Sequence, residues 1–392
     1  MKTVMIVAGE SSGELYGSLL AKSLKSMWPD VRLVGIGGER MKDAGVEMLS
    51  GIASSFGLTE TLLSLKRIRE TFKKASKALA EISPDVVVLI DYPDFNFRIA
   101  RLAKRHGLKV LYYVSPQVWA WRKGRVRTMG EIADRVAVIL PFEEEIYRKA
   151  GISCEFVGHP VMEEIEEYER DKSEILTPKS EIRNRAESEI RNPESKMKSP
   201  LISLLPGSRP HELKTLLPVF VDLVKTARHE IKGARFIVPL APNLDLEKFS
   251  GPLALLKEMG TTFVKGETVR TLASSDAAVV ASGTATLQTA LLGVPMVVVY
   301  KLSPVTYFVG KNVLDVKYIS LVNIIPGRQV VSELIQQKAT AGNMMRELKR
   351  ILSDDSYRED MISSLGELRK LFSGRLPSRR VAEMTGEMAG WR

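Results

Sequence analysis

Only one cysteine, Cys154, occurs in 392 residues, which excludes an internal disulfide and a thiolate metal cluster and fits a reducing compartment. No uninterrupted apolar run reaches the roughly 18 residues that an ordinary membrane-spanning helix needs. The chain opens directly on a strand pattern, Thr3 to Ala8, without the basic and apolar sectors of a secretory leader, so a cytoplasmic location is the expectation. The dinucleotide fingerprint G-x-G-x-x-G is missing as well. The glycines of the first turn fall at 9, 13 and 17, and no nicotinamide or flavin cofactor is expected. Arginine-rich stripes interleaved with aromatics are absent too, and with them the expectation of a nucleic-acid partner.

What is present belongs to a soluble globular protein. The length of 392 residues exceeds one ordinary core and points to two domains. A net charge of +10 calls for an anionic partner, such as a phosphorylated substrate or a membrane surface. The most informative stretch is 277–300, AAVVASGTATLQTALLGVPMVVVY. Two short β-branched runs flank a small-residue helix, so the unit reads strand, tight turn, helix, strand. Ser282, Gly283 and Thr284 sit at the first junction. A glycine there admits close backbone approach, hydroxyls flank it, and the N–H groups of the helix start form a candidate anion site.

The same alternation runs through the chain. Thr3 to Ala8 leads into Gly9-Glu10-Ser11-Ser12-Gly13-Glu14 and a helix from Leu15 to Met27. Arg32 to Ile36 is a second strand, and Thr61 to Ala80 reads as a helix. Its early part sets Leu62, Leu63, Leu65 and Ile68 beside Lys66, Arg67 and Arg69, either a core-facing helix with a solvated side or a patch for an anionic membrane and acyl chains. Asp85 to Ile90 is a buried strand that delivers Asp91-Tyr92-Pro93-Asp94-Phe95-Asn96 to the sheet edge. Asp94 is a helix N-cap, a catalytic carboxylate, or both. Lys109 to Val114 runs into Ser115-Pro116-Gln117-Val118-Trp119-Ala120-Trp121, a sugar or acyl platform or plain packing. His159 follows a strand and precedes Pro160, which favours a structural role. Residues 163–199 turn densely charged and repeat Ser-Glu-Ile-Arg-Asn, as a mobile excursion or marginal helix would. Leu201 to Leu205 leads into Pro206-Gly207-Ser208-Arg209, a second glycine and hydroxyl turn, whose guanidinium suits a diphosphate. Asn323 lies in a loop near the same edge, and after about Val330 the chain reads as helical. The organisation expected is a first domain over 1–160, the charged excursion over 163–199, a second domain over 200–330 and helices over 331–392 that pack back on the first domain or on a partner.

These motifs, taken in order, resemble the lipid-A-disaccharide synthase family. Ala8 to Glu14, Ile90 to Asn96, Ser115 to Trp121, Val157 to Pro160, Leu205 to Arg209, Ala281 to Leu287 and Asn323 carry the likeness across nearly the whole chain. The resemblance implies an α/β fold of two Rossmann-like doubly wound parallel-sheet domains facing a cleft, the GT-B type. It implies transfer of 2,3-diacylglucosamine from its UDP derivative to the 6-hydroxyl of 2,3-diacylglucosamine 1-phosphate, with inversion to a β-1,6 linkage and release of UDP. In that role Asp94 is the base. Arg209 and the helix start at Ser282, Gly283, Thr284, Ala285 and Thr286 hold the diphosphate, Gly207 and Ser208 belong to the same UDP-binding set, Gln288 is near the ribose and Asn323 close to the donor. Ser11, Ser12, Gly13, Glu14 and Asn96 line the acceptor side. No metal and no cofactor are implied, since Asp91 and Asp94 lack the D-x-D spacing and the four histidines show no ligand pairing. Both substrates carry acyl chains, so the expected site of action is peripheral, at the inner face of the inner membrane. A homodimer is expected because C-terminal elements of the family often exchange between protomers.

Four positions depart from the family's usual pattern, which has Asp at Glu14, His at Tyr16, Arg at Pro210 and Glu at Gln288. An amide at 288 offers one acceptor oxygen where a carboxylate offers two. Two other readings share these motifs. A UDP-sugar 2-epimerase has the same architecture but needs no acceptor, and an inactive nucleotide-sugar-binding protein would keep the site without turnover.

Overall fold

The computed structural model describes residues 1–9, 11–51, 61–119, 124–175, 199–241, 246–301 and 317–391, with backbone alone at 11, 61–67, 174 and 175. The described chain divides into two units, Met1–Pro160 with Gly374–Arg392, and Val161–Ser373.

The first unit alternates β1 (Thr3–Ala8), α1 (Ser11–Met27), β2 (Arg32–Gly37), α2 (Glu39–Asp43), β3 (Glu47–Gly51), α3 (Thr61–Ile82), β4 (Val86–Ile90), α4 (Pro93–Arg105), β5 (Lys109–Tyr113), α5 (Arg125–Ile132), β6 (Arg135–Val138), α6 (Glu143–Lys149) and β7 (Cys154–Phe156). Its strands pair in parallel, in the order β3-β2-β1-β4-β5-β6-β7. β1 and β4 lie at the centre, buried along their whole length, as continuous apolar runs covered on both faces must be.

The second unit contains α7 (Val161–Ile175), β8 (Leu201–Leu205), α8 (Pro210–Glu230), β9 (Arg235–Leu240), α9 (Ser250–Glu258), β10 (Thr262–Lys265), α10 (Thr268–Ala273), β11 (Ala277–Ala281), α11 (Thr284–Leu291), β12 (Met296–Tyr300), α12 (Leu321–Ile324), β13 (Ser332–Ile335), α13 (Ala341–Ser353) and α14 (Asp355–Lys370). Its strands run parallel in the order β10-β9-β8-β11-β12-β13. Counted from β8 this is the dinucleotide-fold order, with reversal between β8 and β11.

An aspartate just before an inner strand catches an N–H at the start of its neighbour three times. Asp85 accepts from Thr3 at 2.8 Å, Asp134 from Val110 at 2.8 Å and Asp276 from Leu201 at 2.9 Å. Each satisfies a donor that the parallel ladder leaves open.

Several expectations change. The segment after Val330 is not all helix, because β13 completes the second sheet before α13 begins. Asn323 sits in α12, a one-turn helix, rather than in a loop. The charged region opens as the helix α7, which runs to Ile175, and 176–198 lie outside the described residues. β3, a half-exposed edge strand of mixed composition, had no sequence signal. The last helix, α15 (Pro377–Ala389), packs on α1 within the first unit. Arg380 forks onto both oxygens of Glu155, and Trp391 meets Trp28 edge-on at 5.1 Å.

Candidate functional site

Ligands of open parallel sheets collect where the strand order reverses, beyond the carboxyl ends. In the first unit that place lies between β1 and β4. A Cβ on Gly9 would lie 2.2 Å from the Tyr92 ring, so glycine is what lets the two exit turns close together. Asp91 and Tyr92 both take left-handed backbone, with φ of 48° and 47°, at a cost of about 1–3 kcal/mol each. Three side chains hold them. The Asn96 amide donates to the carbonyls of Ile90 at 3.1 Å and Asp91 at 2.8 Å, the Tyr112 hydroxyl donates to the Asp91 carbonyl at 2.8 Å, and Tyr92 stacks on Phe95 at 5.4 Å.

This bend makes Tyr92 the cap, puts Pro93 first in α4 and leaves Asp94 second, so Asp94 is not the N-cap. Its Oδ1 accepts from Arg125 Nη2 at 2.9 Å. The Asp94 side chain is 85 % exposed and that of Arg125 only 14 %, the guanidinium lying 5.4 Å from the Phe97 ring. A fixed cation therefore orients a carboxylate that stands out over the sheet edge, where it can take a proton from a hydroxyl.

The other acceptor-side candidates mostly face inward. Asn96 is fully buried and its amide hydrogens are spent on the turn, so it supports the edge and does not line it. Glu14, 4 % exposed, accepts the Arg40 N–H at 2.9 Å and closes the start of α2. Gly13 is buried, Ser12 is half-buried, and the Ser11 side chain lies outside the described residues. Tyr16 meets His159 edge-on at 5.9 Å, and burial pulls the imidazole down to about 3, so it is a neutral packing group. Trp119 packs edge-on against Phe142 at 5.3 Å; Ala120 and Trp121 lie outside the described residues.

Nothing in the sequence marked Glu143. It is 1 % exposed, its Oε2 accepts the Leu140 N–H at 3.1 Å and its Oε1 the Ser115 hydroxyl at 3.2 Å. Burial pushes its carboxyl up to about 8. It thus ties the exit of β5, where Val114 is held at φ 62°, to the exit of β6 as a neutral acid.

In the second unit the reversal brings together the turns after β8 and β11. The first is closed by its own helix. Glu212 Oε2 accepts the N–H groups of Ser208 at 2.9 Å and Arg209 at 3.1 Å. Gly207, at φ 105°, leaves that carboxylate room, since a Cβ would lie 2.1 Å from its Oε2. The N–H groups of Ser208 and Arg209 are therefore taken within the fold, while Ser208 itself is exposed. The Arg209 side chain remains about half exposed, 3.9 Å from Glu212 Oε1.

The second turn is open. Gly283 and Thr284 are exposed, Ala285 is half-buried, α11 has no side-chain cap, and a Cβ on Gly283 would meet nothing within 4 Å. The first N–H groups of α11 thus point at accessible space, as an anion site requires. Thr286 is fully buried and its hydroxyl donates to the Gly283 carbonyl at 2.7 Å, which removes it from the ligand-facing set. Gln288 is 8 % exposed and its Nε2 donates to Glu164 Oε2 of α7 at 3.2 Å. A carboxylate is present beside that position after all, supplied by another element.

Behind the open turn lies a network the sequence did not disclose. The Ser282 hydroxyl donates to the Ile319 carbonyl at 3.2 Å. Asn323 is fully buried; its Oδ1 accepts from Val330 at 2.7 Å and Val331 at 3.0 Å, and its Nδ2 donates to the Val331 carbonyl at 2.9 Å and Glu333 Oε1 at 2.8 Å. All its capacity is used within the fold, where it holds the backbone of 330–331 and meets Glu333.

The patch expected in α3 is only partly described: Ile68 is half-buried, and the side chains of Leu62, Leu63 and Leu65 lie outside the described residues.

Two solved structures share this architecture. UDP-GlcNAc 2-epimerase from Neisseria meningitidis, bound to UDP-GlcNAc, superposes with a TM-score of 0.68 at 12 % identity, covering 98 % of this chain and 100 % of its own. The calicheamicin glycosyltransferase CalG4 does so with a TM-score of 0.61 at 15 % identity, covering 100 % of this chain and 98 % of its own. The fold is that of the GT-B glycosyltransferases and the epimerases built like them. Sequence narrows the class: the family model of lipid-A-disaccharide synthetase matches residues 4–372. Lipid-A-disaccharide synthase of Syntrophus aciditrophicus is 40 % identical over 372 residues, spanning 94 % of this chain and 93 % of that protein. The chain belongs to the lipid-A-disaccharide synthetase family.

Proposed function

We propose that the chain transfers 2,3-diacylglucosamine from UDP-2,3-diacylglucosamine to the 6-hydroxyl of 2,3-diacylglucosamine 1-phosphate, with inversion, giving the β-1,6 disaccharide 1-phosphate and UDP. The observation that carries this reading is family membership over almost the entire length. In one in-line displacement the acceptor hydroxyl attacks the anomeric carbon and the bond to the diphosphate oxygen breaks on the opposite face. Asp94, oriented by Arg125, takes the hydroxyl proton. The open turn at Ser282 to Ala285 and the Arg209 guanidinium meet the charge that gathers on UDP as it leaves. Arg125 fixes the direction of the carboxylate, and the two left-handed residues before it fix its position.

The test is turnover by mass. Purified protein should release UDP and form disaccharide only when both substrates are present. UDP lost without an acceptor, or a donor altered at its own 2-position, would remove the transferase reading. Asp94→Ala should lower kcat by about 100-fold or more, the usual worth of a positioned base.

Peripheral binding to anionic membrane is part of the same proposal, supported by the net charge of +10. Among the described residues no helix is long and apolar enough to cross a membrane. Vesicles of phosphatidylglycerol should retain the protein at low salt and release it at high salt. Homodimerisation is likewise proposed, and sedimentation at several concentrations tests it.

A further inference from the structure

We propose that Glu333, on the edge strand β13, is the positioning residue of the open turn: it fixes residues 319–323 so that Ser282 and Gly283 keep the geometry that receives a nucleoside diphosphate. The inference rests on the transferase reading and deepens it, since no ligand contact by Glu333 is involved.

The geometry is a chain of directed bonds. Glu333 Oε2 accepts the Ile319 N–H at 3.0 Å, while Oε1 accepts the Ser320 N–H at 3.0 Å and Asn323 Nδ2 at 2.8 Å. One carboxylate thus gathers three donors from a segment of five residues. The carbonyl of that segment's first residue, Ile319, receives the Ser282 hydroxyl. Ser282 is in turn anchored through its N–H to Val299 at 3.0 Å, so its side chain is the joint between the sheet edge and the 319–323 segment. The segment has little slack. Ser320 is fully buried with its hydroxyl unpartnered, and Asn323 has every hydrogen bond committed. Removing the carboxylate would orphan two backbone N–H groups and one amide hydrogen together, and a buried polar group does not tolerate that without moving. The movement is transmitted to the Ile319 carbonyl and so to Ser282.

Charge alone predicts the opposite sign, which makes the proposal testable. A carboxylate near a diphosphate site repels the ligand, so neutralising it should tighten binding if Glu333 were only background charge. A positioning role requires that it loosen. UDP is titrated into wild type, Glu333→Gln and Glu333→Ala. In Glu333→Gln an NH2 replaces one acceptor oxygen and faces one of the three donors, and the UDP Kd should rise about tenfold, as for one lost charge-assisted bond. With both substrates the change should appear in KM for the donor, with KM for the acceptor altered less than about twofold.

Thermal unfolding reports whether each variant is folded, and Glu333→Gln decides the matter if Glu333→Ala is not. Unchanged or tighter UDP binding by folded Glu333→Gln, or a change that falls equally on KM for donor and acceptor, overturns the proposal. Wild type that fails to bind UDP removes the transferase reading and this inference with it; wild type that binds while the Glu333 variants bind equally removes the inference alone.

Discussion

The two turns at the reversal point of the second sheet have nearly the same chemistry in sequence and opposite states in the fold. Gly207-Ser208-Arg209 and Ser282-Gly283-Thr284 each place glycine and hydroxyl between a buried strand and a helix. Glu212 fills the first, taking two backbone donors, whereas α11 begins without a side-chain cap. What separates them is the third residue of the following helix. Glutamate there folds back on the turn, while Thr286 spends its hydroxyl on the Gly283 carbonyl and leaves the first N–H groups uncovered. An anion site is thus made as much by the absence of a nearby carboxylate as by the presence of glycine.

Paired substitutions test the contrast. Gly207→Ala forces a side chain into left-handed backbone and against Glu212, and should cost about 3 kcal/mol in denaturant unfolding. Gly283→Ala adds a methyl group to open space on extended backbone and should shift stability by less than about 0.5 kcal/mol while weakening UDP binding. Equal losses of stability would erase the distinction.

A second carboxyl that closes a turn, Glu143 in the first unit, extends the comparison to pH. Burial raises its carboxyl to about 8, while in the unfolded chain it titrates in the ordinary carboxylate range. Between those values the folded state holds the extra proton, so stability falls as pH rises and the full contribution is present only in acid. Glu143→Gln removes that slope. From about pH 6 to about pH 7.5 wild type should lose about 2 kcal/mol more than the variant, read by unfolding at each pH. Parallel curves would contradict the neutral buried acid.

Glu212→Gln keeps one acceptor and loses the charge, and a loss of about 1–1.5 kcal/mol is expected, with the UDP Kd changing less than about twofold. A large gain in UDP affinity would mean that Glu212 competes with the ligand for its turn. The smallest effect is assigned to Arg209→Lys. Stability should hold, and UDP affinity should drop by less than about fivefold, because a point charge replaces a planar fork.

The sheets were legible because buried parallel strands must be continuous apolar runs: VVVLI at 86–90, AAVVA at 277–281 and MVVVY at 296–300 can be little else. The edges were not. EMLSG at 47–51 and SELI at 332–335 are half-exposed, so they carry neither an apolar run nor clean alternation. Within the site, glycines, Arg209 and Asp94 announce themselves by residue type. The reach of a side chain does not. That Glu14 caps α2, that Asn96 and Asn323 face inward, and that Glu333 answers donors 10 to 14 residues earlier follow only from three-dimensional placement. Arg125, which sets the direction of Asp94, lies 31 residues further along, in a stretch with no motif of its own.

The return of 374–392 to the first unit gives the chain a nested order. A ribosome delivers every residue of the second unit before it releases α15, whose Arg380 answers Glu155 and whose Gly386 lies against the Trp28 ring. The inserted body can therefore mature during synthesis, whereas the body that received it must wait with an uncovered flank on α1 until the final helix arrives. Cutting before Pro377 would strand the unit made first and spare the one made second.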